Sequence, residues 1–498
     1  MTQTIKEFKT QRKLRKLKLK EKSNNKRYIL DFFDNEYKQQ AQNRNYQGIA
    51  SVADGLKPTS RKVIETVLKS TKRWEKVESL ANRTADSTEY LGGSSNISGV
   101  IVTIAKGYDT SNNIPLLETI GGFGQRLNTK PGEPRYIKAS KLSNTEDYFK
   151  KIDRNILIQE EFDGIEVEPR FFVPTLPLLL VNGSVGVGFG HAQKILPRNP
   201  KEVLEYLIQK LNYLSKNSNK NPSISLLKPY WNGFNGNVEE YTKKGSNGEI
   251  NANTRTTGVF KIIKPKLIEI TELPIGTTLL SYLKKLQSLK DSKKIKSFDD
   301  LSDTKKDIFL FKVTLNKKNN TNNEKQKEDL IDLLGLSKSI TENFTCISED
   351  NKVLQFSSSV EVINYYIDIK LKYLQKRKDH QLYINRKELL KEQCKYLFQH
   401  SVINNKLDIR SDKDKVKADL EKILEIIKSK EKSKELYKEL EADGSIANKL
   451  LNLPIFNLNE NSLKKTVSRI TELKELNNRI EQNSIYEMWM QDLNDISF

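Results

Sequence analysis

Residues 112–137 read NNIPLLETIGGFGQRLNTKPGEPRYI and end with Arg135, Tyr136 and an isoleucine. A tyrosine hydroxyl can attack a phosphodiester and form a covalent intermediate, as other side-chain nucleophiles do. The guanidinium of Arg135 is suited to stabilise negative charge that grows on phosphate oxygens during such an attack. An Arg-Tyr pair carries little weight alone, so the sequence around it decides the interpretation.

Upstream, residues 54–58 read DGLKP and are followed by Arg61 and Lys62. Ser60 is a residue type that often caps a helix, and residues 63–68 have apolar side chains at helical spacing. Arg61 and Lys62 would then lie in the first helical turn, where the helix dipole does not favour cations. Two interpretations remain open: the cations bind an anion that approaches this end of the helix, such as a DNA phosphate, or they are ordinary surface charge.

Further segments follow in order along the chain. They are EP at 168–169, VP at 173–174, LP at 176–177, VNG at 181–183, PYWNGF at 229–234, ITELP at 270–274 and LPIF at 453–456. Together with DGLKP, NNIPLL, IGGFG and PRYI, this ordered set resembles the breakage-reunion core of type IIA DNA topoisomerases, the gyrase A and topoisomerase IV A family. The resemblance extends from about Arg27 to Asp495. The layout is similar to that of the medium subunit of large-phage topoisomerases and of the C-terminal half of eukaryotic topoisomerase II.

The resemblance implies roles for particular residues. Tyr136 would attack DNA and leave a 5′-phosphotyrosyl link, and Arg135 would contact the scissile phosphate. The cations that would hold the DNA backbone are Lys57, Arg61 and Lys62.

Val187, in the GVG of residues 186–188, matches the isoleucine that this family inserts between base pairs. A smaller β-branched side chain can still unstack a base step and bend the duplex. The other interpretation of Val187 is a packed turn residue.

One departure from the family pattern concerns two histidines. Where the family has Tyr-His-His-Gly, this chain has Tyr90, Leu91, Gly92 and Gly93. In the family one of these histidines lies close to the scissile phosphate, so their loss predicts a weaker cleavage step or a substitute group. Candidates by sequence proximity are Ser94, Ser95 and Lys106.

The resemblance implies an α+β multidomain fold. The expected parts are a basic tail at 1–26, a winged-helix breakage domain with the active tyrosine at 27–164, a mixed α/β tower domain at 165–357, long antiparallel coiled-coil helices at 358–394 and 459–492, and a small helical dimerisation gate at 395–458.

Patterns in the residues agree with parts of this division. Residues 173–181 and 259–270 are rich in strand formers, which predicts buried strands. Apolar side chains recur at helical spacing in residues 362–373 and 463–480, which predicts two long helices packed along one seam. The insertion between them would project a small knob, either as a dimer contact or as part of a bundle that has no partner.

Charge and composition narrow the class of protein. The 498 residues carry a formal net charge of +21, which favours a nucleic-acid partner, although a lysine-rich coding bias gives the same excess. The cations crowded into the first 26 residues suit either a short helix on DNA or a disordered, solubilising arm. Two cysteines and three histidines make a disulfide framework or a zinc hydrolase improbable.

The sequence predicts that the chain contains neither a nucleotide site nor a metal site of its own. It has no GxxxxGK[ST] loop and no apolar run of eighteen residues. We read the acidic cluster of Asp299, Asp300 and Asp303 as solvated surface. The resemblance implies that Mg²⁺ and ATP act through partner subunits with Toprim and ATPase domains. We also expect no membrane partner and a cytoplasmic location, which is the host cytoplasm if a phage encodes the chain.

The expected function is DNA cleavage and religation within an ATP-dependent type II topoisomerase, acting on double-stranded DNA as a homodimer of this chain through the gate. The alternative is a non-enzymatic DNA-binding or compaction protein with coiled-coil dimerisation, which the charge and long helices support equally well. A tyrosine recombinase is a weaker third choice, because that class depends on several catalytic histidines.

Overall fold

The computed structural model describes residues 29–71, 73–216, 218–244, 250–316, 324–428, 434–442 and 444–498. The predicted basic tail at 1–26 therefore lies outside the described residues. Helices and antiparallel strand pairs are mixed along the described part of the chain.

The helices of the described ranges are α1 (Ile29–Asp31), α2 (Lys38–Gly48), α3 (Pro58–Lys69), α4 (Val77–Ser87), α5 (Ser94–Ala105), α6 (Thr145–Tyr148), α7 (Leu178–Asn182), α8 (Pro200–Leu214), α9 (Leu279–Asp291), α10 (Glu324–Leu334), α11 (Ser359–Ile403), α12 (Lys413–Lys428), α13 (Lys434–Ala442), α14 (Ile446–Leu451), α15 (Glu460–Gln482) and α16 (Ile485–Asn494). A π-helical segment, Phe32–Tyr37, joins α1 to α2, and short 3-10 helices lie at Lys151–Ile156, Ile224–Leu227 and Ile455–Asn457.

The strands are β1 (Glu75–Lys76), β2 (Leu117–Ile120), β3 (Lys138–Lys141), β4 (Gln159–Phe162), β5 (Ile165–Pro169), β6 (Ser184–Val187), β7 (Ala192–Ile195), β8 (Asn237–Lys244), β9 (Ile250–Thr257), β10 (Phe260–Lys264), β11 (Leu267–Ile270), β12 (Ile295–Asp300), β13 (Phe311–Leu315), β14 (Ser337–Thr341), β15 (Phe344–Ile347) and β16 (Val353–Phe356). They form sheets in the orders β1-β3-β2, β10-β11-β13-β12 and β14-β9-β8, and the hairpins β4-β5, β6-β7 and β15-β16.

The largest apolar core joins helices α3 to α5, the segment around α7, helix α8 and the first turns of α11. The C-terminal helix α16 closes it, because Trp489 is fully buried there and its Nε1 donates to the carbonyl of Thr175 at 3.1 Å. This core continues across the domain boundary that the sequence places between residues 164 and 165. The first half of the expected tower segment is thus packed with the breakage segment.

A second core lies between the four-stranded sheet and helices α9 and α10, and a third lies between α11 and the small helices α12 to α14. Strand formers at 259–270 predicted part of the second core correctly, since β10 and β11 lie there. Leu127 also belongs to the second core, although it lies far away in sequence from the other members.

Two local predictions are wrong. Helix α3 begins at Pro58, with Lys57 as the extended residue before it, so Ser60 lies inside the helix and does not cap it. A proline is favoured in the first helical position because its missing N–H is not needed there. Residues 173–181 are not a strand: the chain is irregular and then forms the short helix α7. A short buried apolar run cannot be assigned to strand or helix by periodicity alone.

The two long C-terminal helices are present, with different ends from those predicted. Helix α11 continues to Ile403, beyond the expected end at 394. The expected second helix is divided at Asn483, because Ser484 caps α16 and exchanges hydrogen bonds with Glu487 in a capping box. The sequence prediction overlooked this start signal inside an otherwise helical pattern.

Helices α11 and α15 run antiparallel, but their seam differs from the predicted apolar stripe. Leu473 is buried, whereas Val467 and Leu476 are each 44% exposed. Polar pairs fill the remaining seam: Asn385 Nδ2 donates to Asn477 Oδ1 at 2.9 Å. Farther along, the Thr466 hydroxyl donates to Gln399 Oε1 at 2.9 Å.

Candidate active site

Tyr136 lies on a turn that the fold holds by its backbone. Its amide donates to the carbonyl of Glu133 at 2.9 Å, and β3 begins two residues later. The first amides of helix α4 bind the same turn, since Val77 donates to the carbonyl of Ile137 at 3.0 Å and Glu78 to that of Pro134 at 3.2 Å. The Tyr136 side chain remains 76% exposed, so the phenol is presented to solvent from a fixed backbone.

The side chain of Ile137, the residue after Tyr136, is only 3% exposed and packs in the largest apolar core, which fixes the turn to the protein interior. Gly121 and Gly132 lie against it: a Cβ atom at either position would come within 3.0 or 3.1 Å of Ile137 Cγ2. Gly121 also has a φ of +98°, which favours glycine. The amide of Gly132 donates to the carbonyl of Gly122 at 2.8 Å, which closes the loop of residues 121–132 directly beside the tyrosine.

Arg135 is exposed on the same turn as Tyr136. Among the residues that the structure describes, no carboxylate forms an ion pair with its guanidinium. The turn therefore combines an accessible hydroxyl with an adjacent unpaired cation. Such a combination is suited to nucleophilic attack on a phosphodiester, with the growing charge stabilised by the cation.

The segment that replaces the family's histidines precedes helix α5. Leu91 is 85% exposed, and Gly93 has a φ of +83° at the N-cap of the helix. Ser94 and Ser95 open the helix, whereas Lys106 follows its last residue. At 1.5 Å per residue, Lys106 lies about 18 Å from Ser94, so it cannot take the place of a histidine at position 91 or 92.

The DGLKP segment is an internal brace. Asp54 is fully buried, and its carboxylate accepts hydrogen bonds from the amides of Leu56 at 2.9 Å and Phe172 at 3.0 Å. Arg61 completes the brace by pairing with Asp54 at 2.6 Å and donating to the carbonyl of Leu56 at 2.9 Å. Gly55 has a φ of +69° and packs against the backbone of Leu179.

The structure places two of the predicted DNA-contacting cations, Arg61 and Lys62, on internal acceptors. Arg61 is 2% exposed. Burial is the largest single effect and lowers the pKa of its guanidinium, but the ion pair and hydrogen bond with Asp54, together with Tyr46 and Glu168, raise the pKa overall. Lys62 is turned inward and donates to the carbonyl of Thr88 and to Glu168, each at 2.8 Å. Both cations satisfy internal acceptors in this structure and stabilise the fold.

Of the three cations that the sequence assigned to DNA, Lys57 is the one whose side chain reaches the surface. Its Nζ donates to the carbonyl of Val185 at 3.0 Å, and partial burial lowers the pKa of its ammonium. This contact places the Lys57 ammonium beside strand β6, which ends at Val187. The structure thus brings two of the predicted DNA-contacting residues, Lys57 and Val187, to one hairpin.

Val187 is 78% exposed at the tip of the β6-β7 hairpin, which contradicts the alternative interpretation of a packed turn residue. The hairpin itself is braced: Asn45 Oδ1 accepts from the amide of Phe189 at 2.5 Å, and Gly48 packs against the backbone of Val187. Val185 lies on the same face of β6 and is 68% exposed. Sequence reasoning missed Val185, although its alternation with Val187 was visible.

Sequence reasoning also missed Arg126 and Asp307. Arg126 is 6% exposed, and its guanidinium donates to the carbonyl of Leu273 in the ITELP segment. The Asp307 carboxylate accepts a hydrogen bond from the backbone amide of Arg126, in the loop of residues 121–132. The two residues lie 181 positions apart, so no local pattern relates them.

Metal-binding clusters and membrane spans are both absent from the described residues. No group of three histidine, cysteine or acidic side chains in these ranges is arranged to hold a metal ion. No helix in the part of the chain that the structure describes is long and apolar enough to cross a membrane.

Comparison with known proteins gives a consistent result. DNA topoisomerase 2, mitochondrial, from Dictyostelium discoideum is 29% identical over 481 residues, which cover 94% of this chain and 35% of that protein. DNA topoisomerase 2 of Invertebrate iridescent virus 6 is 27% identical and is matched over 90% of this chain and 37% of its own length. The chain thus spans about a third of the length of these relatives.

The fold agrees with a solved structure as well. The crystal structure of the Plasmodium falciparum topoisomerase II DNA-binding, cleavage and re-ligation domain matches with a TM-score of 0.72 and 25% identity. The match covers 92% of this chain and 62% of that one. The family model for the A subunits of DNA gyrase and topoisomerase IV matches residues 47–494. The chain that carries Tyr136 on its braced turn therefore belongs to the family of DNA gyrase and topoisomerase IV A subunits.

Proposed function

We propose that this chain cleaves and religates DNA within an ATP-dependent type II topoisomerase, making a transient double-strand break through which a second duplex passes. The observation that carries the proposal is the exposed phenol of Tyr136 on a backbone-anchored turn, next to the Arg135 guanidinium, which forms no ion pair with a carboxylate of the described residues. Family membership and the similarity to a cleavage and re-ligation domain support the same function.

In the proposed reaction the Tyr136 oxygen loses its proton and forms a bond to the backbone phosphorus. The bond from phosphorus to the 3′ oxygen breaks, that oxygen takes a proton, and a 5′-phosphotyrosyl link remains. Arg135 stabilises the charge that grows on the phosphate oxygens. Religation is the reverse attack by the 3′ hydroxyl, so no further energy source is needed to reseal the strand.

The DNA would lie against the β6-β7 hairpin. Lys57 would contact a backbone phosphate, and Val187 would enter a base step and bend the duplex. The exposure of Val187 and the position of Lys57 beside Val185 support this assignment.

The division into winged-helix, tower, coiled-coil and gate domains belongs to the same proposal. We propose that residues 395–458 form the dimer contact with a second copy of this chain. Phe456, in the LPIF segment, supports this role because it is 86% exposed close to the third core.

Mg²⁺ and ATP are proposed to act from partner subunits with Toprim and ATPase domains. Bound in the partner, Mg²⁺ would supply further electrostatic stabilisation of the phosphate.

The test uses supercoiled plasmid, Mg²⁺, ATP and the partner subunit, followed by detergent. The wild-type chain should yield linear DNA with protein on its 5′ ends, and Tyr136→Phe should yield none. Tyr213→Phe is the matched control, because Tyr213 is another exposed tyrosine outside the proposed site. Equal adduct from wild type and Tyr136→Phe would contradict the assignment of the nucleophile.

A non-enzymatic DNA-binding or compaction role is the second candidate. The observation that favours it is the segment at Leu91 and Gly92, where an exposed leucine and a glycine offer no acid or base near a phosphate. That role predicts salt-sensitive DNA binding with no covalent adduct from the wild-type chain in the same assay.

A further inference from the structure

The loop of residues 121–132 precedes the turn of residues 133–137 that carries Tyr136, here called the tyrosine turn. The tip of this loop contacts the sheet domain, by which we mean the four-stranded sheet β10-β11-β13-β12 with helices α9 and α10. The Arg126 guanidinium donates to the carbonyls of Thr277 at 2.8 Å and Leu273 at 3.0 Å, and lies 3.6 Å from Glu272. The guanidinium also lies over the ring of Phe309, 5.0 Å from its centroid. A forked side chain that meets several fixed acceptors at once defines the position of its loop.

Asp307 binds the same tip through the loop backbone. Its two carboxylate oxygens accept from the amides of Arg126 at 2.7 Å and Leu127 at 2.8 Å. The Leu127 side chain is 4% exposed and packs in the apolar core of the sheet domain. The loop tip is therefore held by its side chains and by its backbone, all against elements of a different core.

The other end of this loop lies at the tyrosine. Gly121 and Gly132 pack on Ile137, and the hydrogen bond from Gly132 to Gly122 closes the loop there. Within the loop, the amide of Gln125 donates to the carbonyl of Asn128 at 2.8 Å, so the tip is a tight turn. A short, internally bonded segment therefore connects the sheet domain to the residue next to Tyr136.

We propose that Arg126 and Asp307 are positioning residues that fix the tyrosine turn relative to the sheet domain, so that a displacement of this domain moves Tyr136. This inference rests on the proposed function, in which Tyr136 is the nucleophile. It also gives the ITELP segment a physical role, because its carbonyls and Glu272 hold Arg126.

The main variant is Asp307→Gly. Asp307 has a φ of +55°, so glycine suits the backbone while both acceptors for the loop are lost. Lys293→Gly is the matched control: its φ is +56°, it belongs to the same sheet domain, and it precedes β12 rather than the loop contact. Arg126→Lys is the second variant, because lysine keeps a positive charge near Glu272 but cannot make the forked contacts.

The first measurement is hydrogen exchange of the amides in residues 121–132. We expect exchange to increase at least about tenfold in Asp307→Gly, to a smaller degree in Arg126→Lys, and not in Lys293→Gly. Unchanged protection of this loop in Asp307→Gly would overturn the inference, whether or not the chain cleaves DNA.

The second measurement follows the tyrosine itself through the fluorine signal of 3-fluorotyrosine at position 136. This signal should shift or broaden in Asp307→Gly and stay as in wild type in Lys293→Gly; an identical signal in all three would contradict a positioning role. In the cleavage assay, the rate of adduct formation should fall by about 10²-fold while the Kd for DNA is unchanged, as expected for a misplaced nucleophile. Absence of adduct from wild type, with the fluorine result as expected, would refute the proposed chemistry and leave the positioning role supported.

Discussion

The Nε atom of Arg61 lies 2.6 Å from Oδ2 of Asp54, and the two side chains are 2% and 0% exposed. This buried pair holds the DGLKP turn, through the Leu56 carbonyl and the Phe172 amide, against the segment that precedes α7. A cation that sequence reasoning assigned to DNA is thus part of the scaffold that presents Lys57.

Loss of one partner of this pair should destabilise the fold strongly. Arg61→Ala leaves the Asp54 carboxylate buried without its cation, and we expect the free energy of unfolding to fall by about 3–5 kcal/mol. Lys57→Ala, at the nearby surface, should change it by no more than about 0.5 kcal/mol. Urea denaturation measures both, and equal stability of the two variants would contradict the structural role of Arg61.

Lys57→Ala should instead weaken DNA binding. If Lys57 neutralises one phosphate, its loss should reduce the slope of log K against log salt by about 1 per chain. Fluorescence anisotropy of a labelled duplex at several salt concentrations measures the slope. Lys372→Ala, which removes a cation that is 57% exposed on α11, is the control and should leave the slope unchanged.

Val187→Ala should reduce bending of bound DNA. The shorter side chain can no longer unstack a base step, which in such proteins produces kinks of about 20–90°. Energy transfer between dyes on the two ends of a bound duplex reports the bend. Ile224→Ala removes methyl groups from another exposed aliphatic residue, 66% exposed, and should retain the wild-type transfer efficiency.

Phe456→Glu should shift the chain from dimer to monomer. Phe456 is 86% exposed, so the substitution places a charge in the proposed contact and costs the isolated fold little. Sedimentation velocity over a range of concentrations measures the assembly. Leu280→Glu, at a leucine that is 65% exposed on α9, is the control, and an unchanged dimer in Phe456→Glu would place the contact elsewhere.

The buried Lys370 predicts a dependence of stability on pH. Burial lowers the pKa of Lys370 to about 8 against an ordinary value of 10.5, while Asp153 and Asp492 oppose the effect and Arg377 and Lys150 add to it. Between these two pKa values the unfolded chain binds more protons than the folded one. Lys370 should therefore contribute a rise in the free energy of unfolding from about pH 8 towards 10, of at most about 3 kcal/mol.

The Lys370→Met variant should lose this rise, whereas Lys372→Met should keep it. Urea titrations at pH 7, 8, 9 and 10 provide the comparison. From about pH 9 an opposing effect grows, because burial raises the pKa of the Cys346 and Cys394 thiols from 9.0 to about 12 and that of Tyr148 to about 12, so the folded chain then holds extra protons. The contribution of Lys370 is therefore read from the difference between wild type and Lys370→Met. A difference between wild type and Lys370→Met that stays constant between pH 8 and 10 would show that Lys370 stays charged in the folded chain.

Sequence reasoning succeeded where one local pattern determines the structure. The long helices and the strands β10 and β11 follow from periodicity and side-chain type. Tyr136 lies on an exposed turn, and its role as the nucleophile stays a prediction. It failed at residues 173–181, since a buried apolar run suits several structures. The capping residue Ser484 was overlooked within a continuous apolar pattern.

The remaining discrepancies come from contacts between distant segments. Whether Arg61 points to solvent depends on Asp54, and the docking of Arg126 depends on carbonyls about 150 residues away. The contact face of α15 was likewise predicted from its apolar residues. In the structure Thr466 and Asn477 also face α11, where Gln399 and Asn385 bind them by hydrogen bonds. Such pairings cannot be read from one segment.

Two polar pairs between α11 and α15, Asn385 with Asn477 and Gln399 with Thr466, limit how the helices can slide along each other. A slide by one heptad, roughly 10 Å, would separate Asn385 from Asn477. Each buried amide would then lack its hydrogen-bond partner, at a cost of about 1–3 kcal/mol. These pairs therefore oppose sliding of α11 along α15, and the two helices are expected to move together. In the proposed dimer, a force that separates the two copies at residues 395–458 would then act on the core around Trp489, with little of it lost to sliding between the helices.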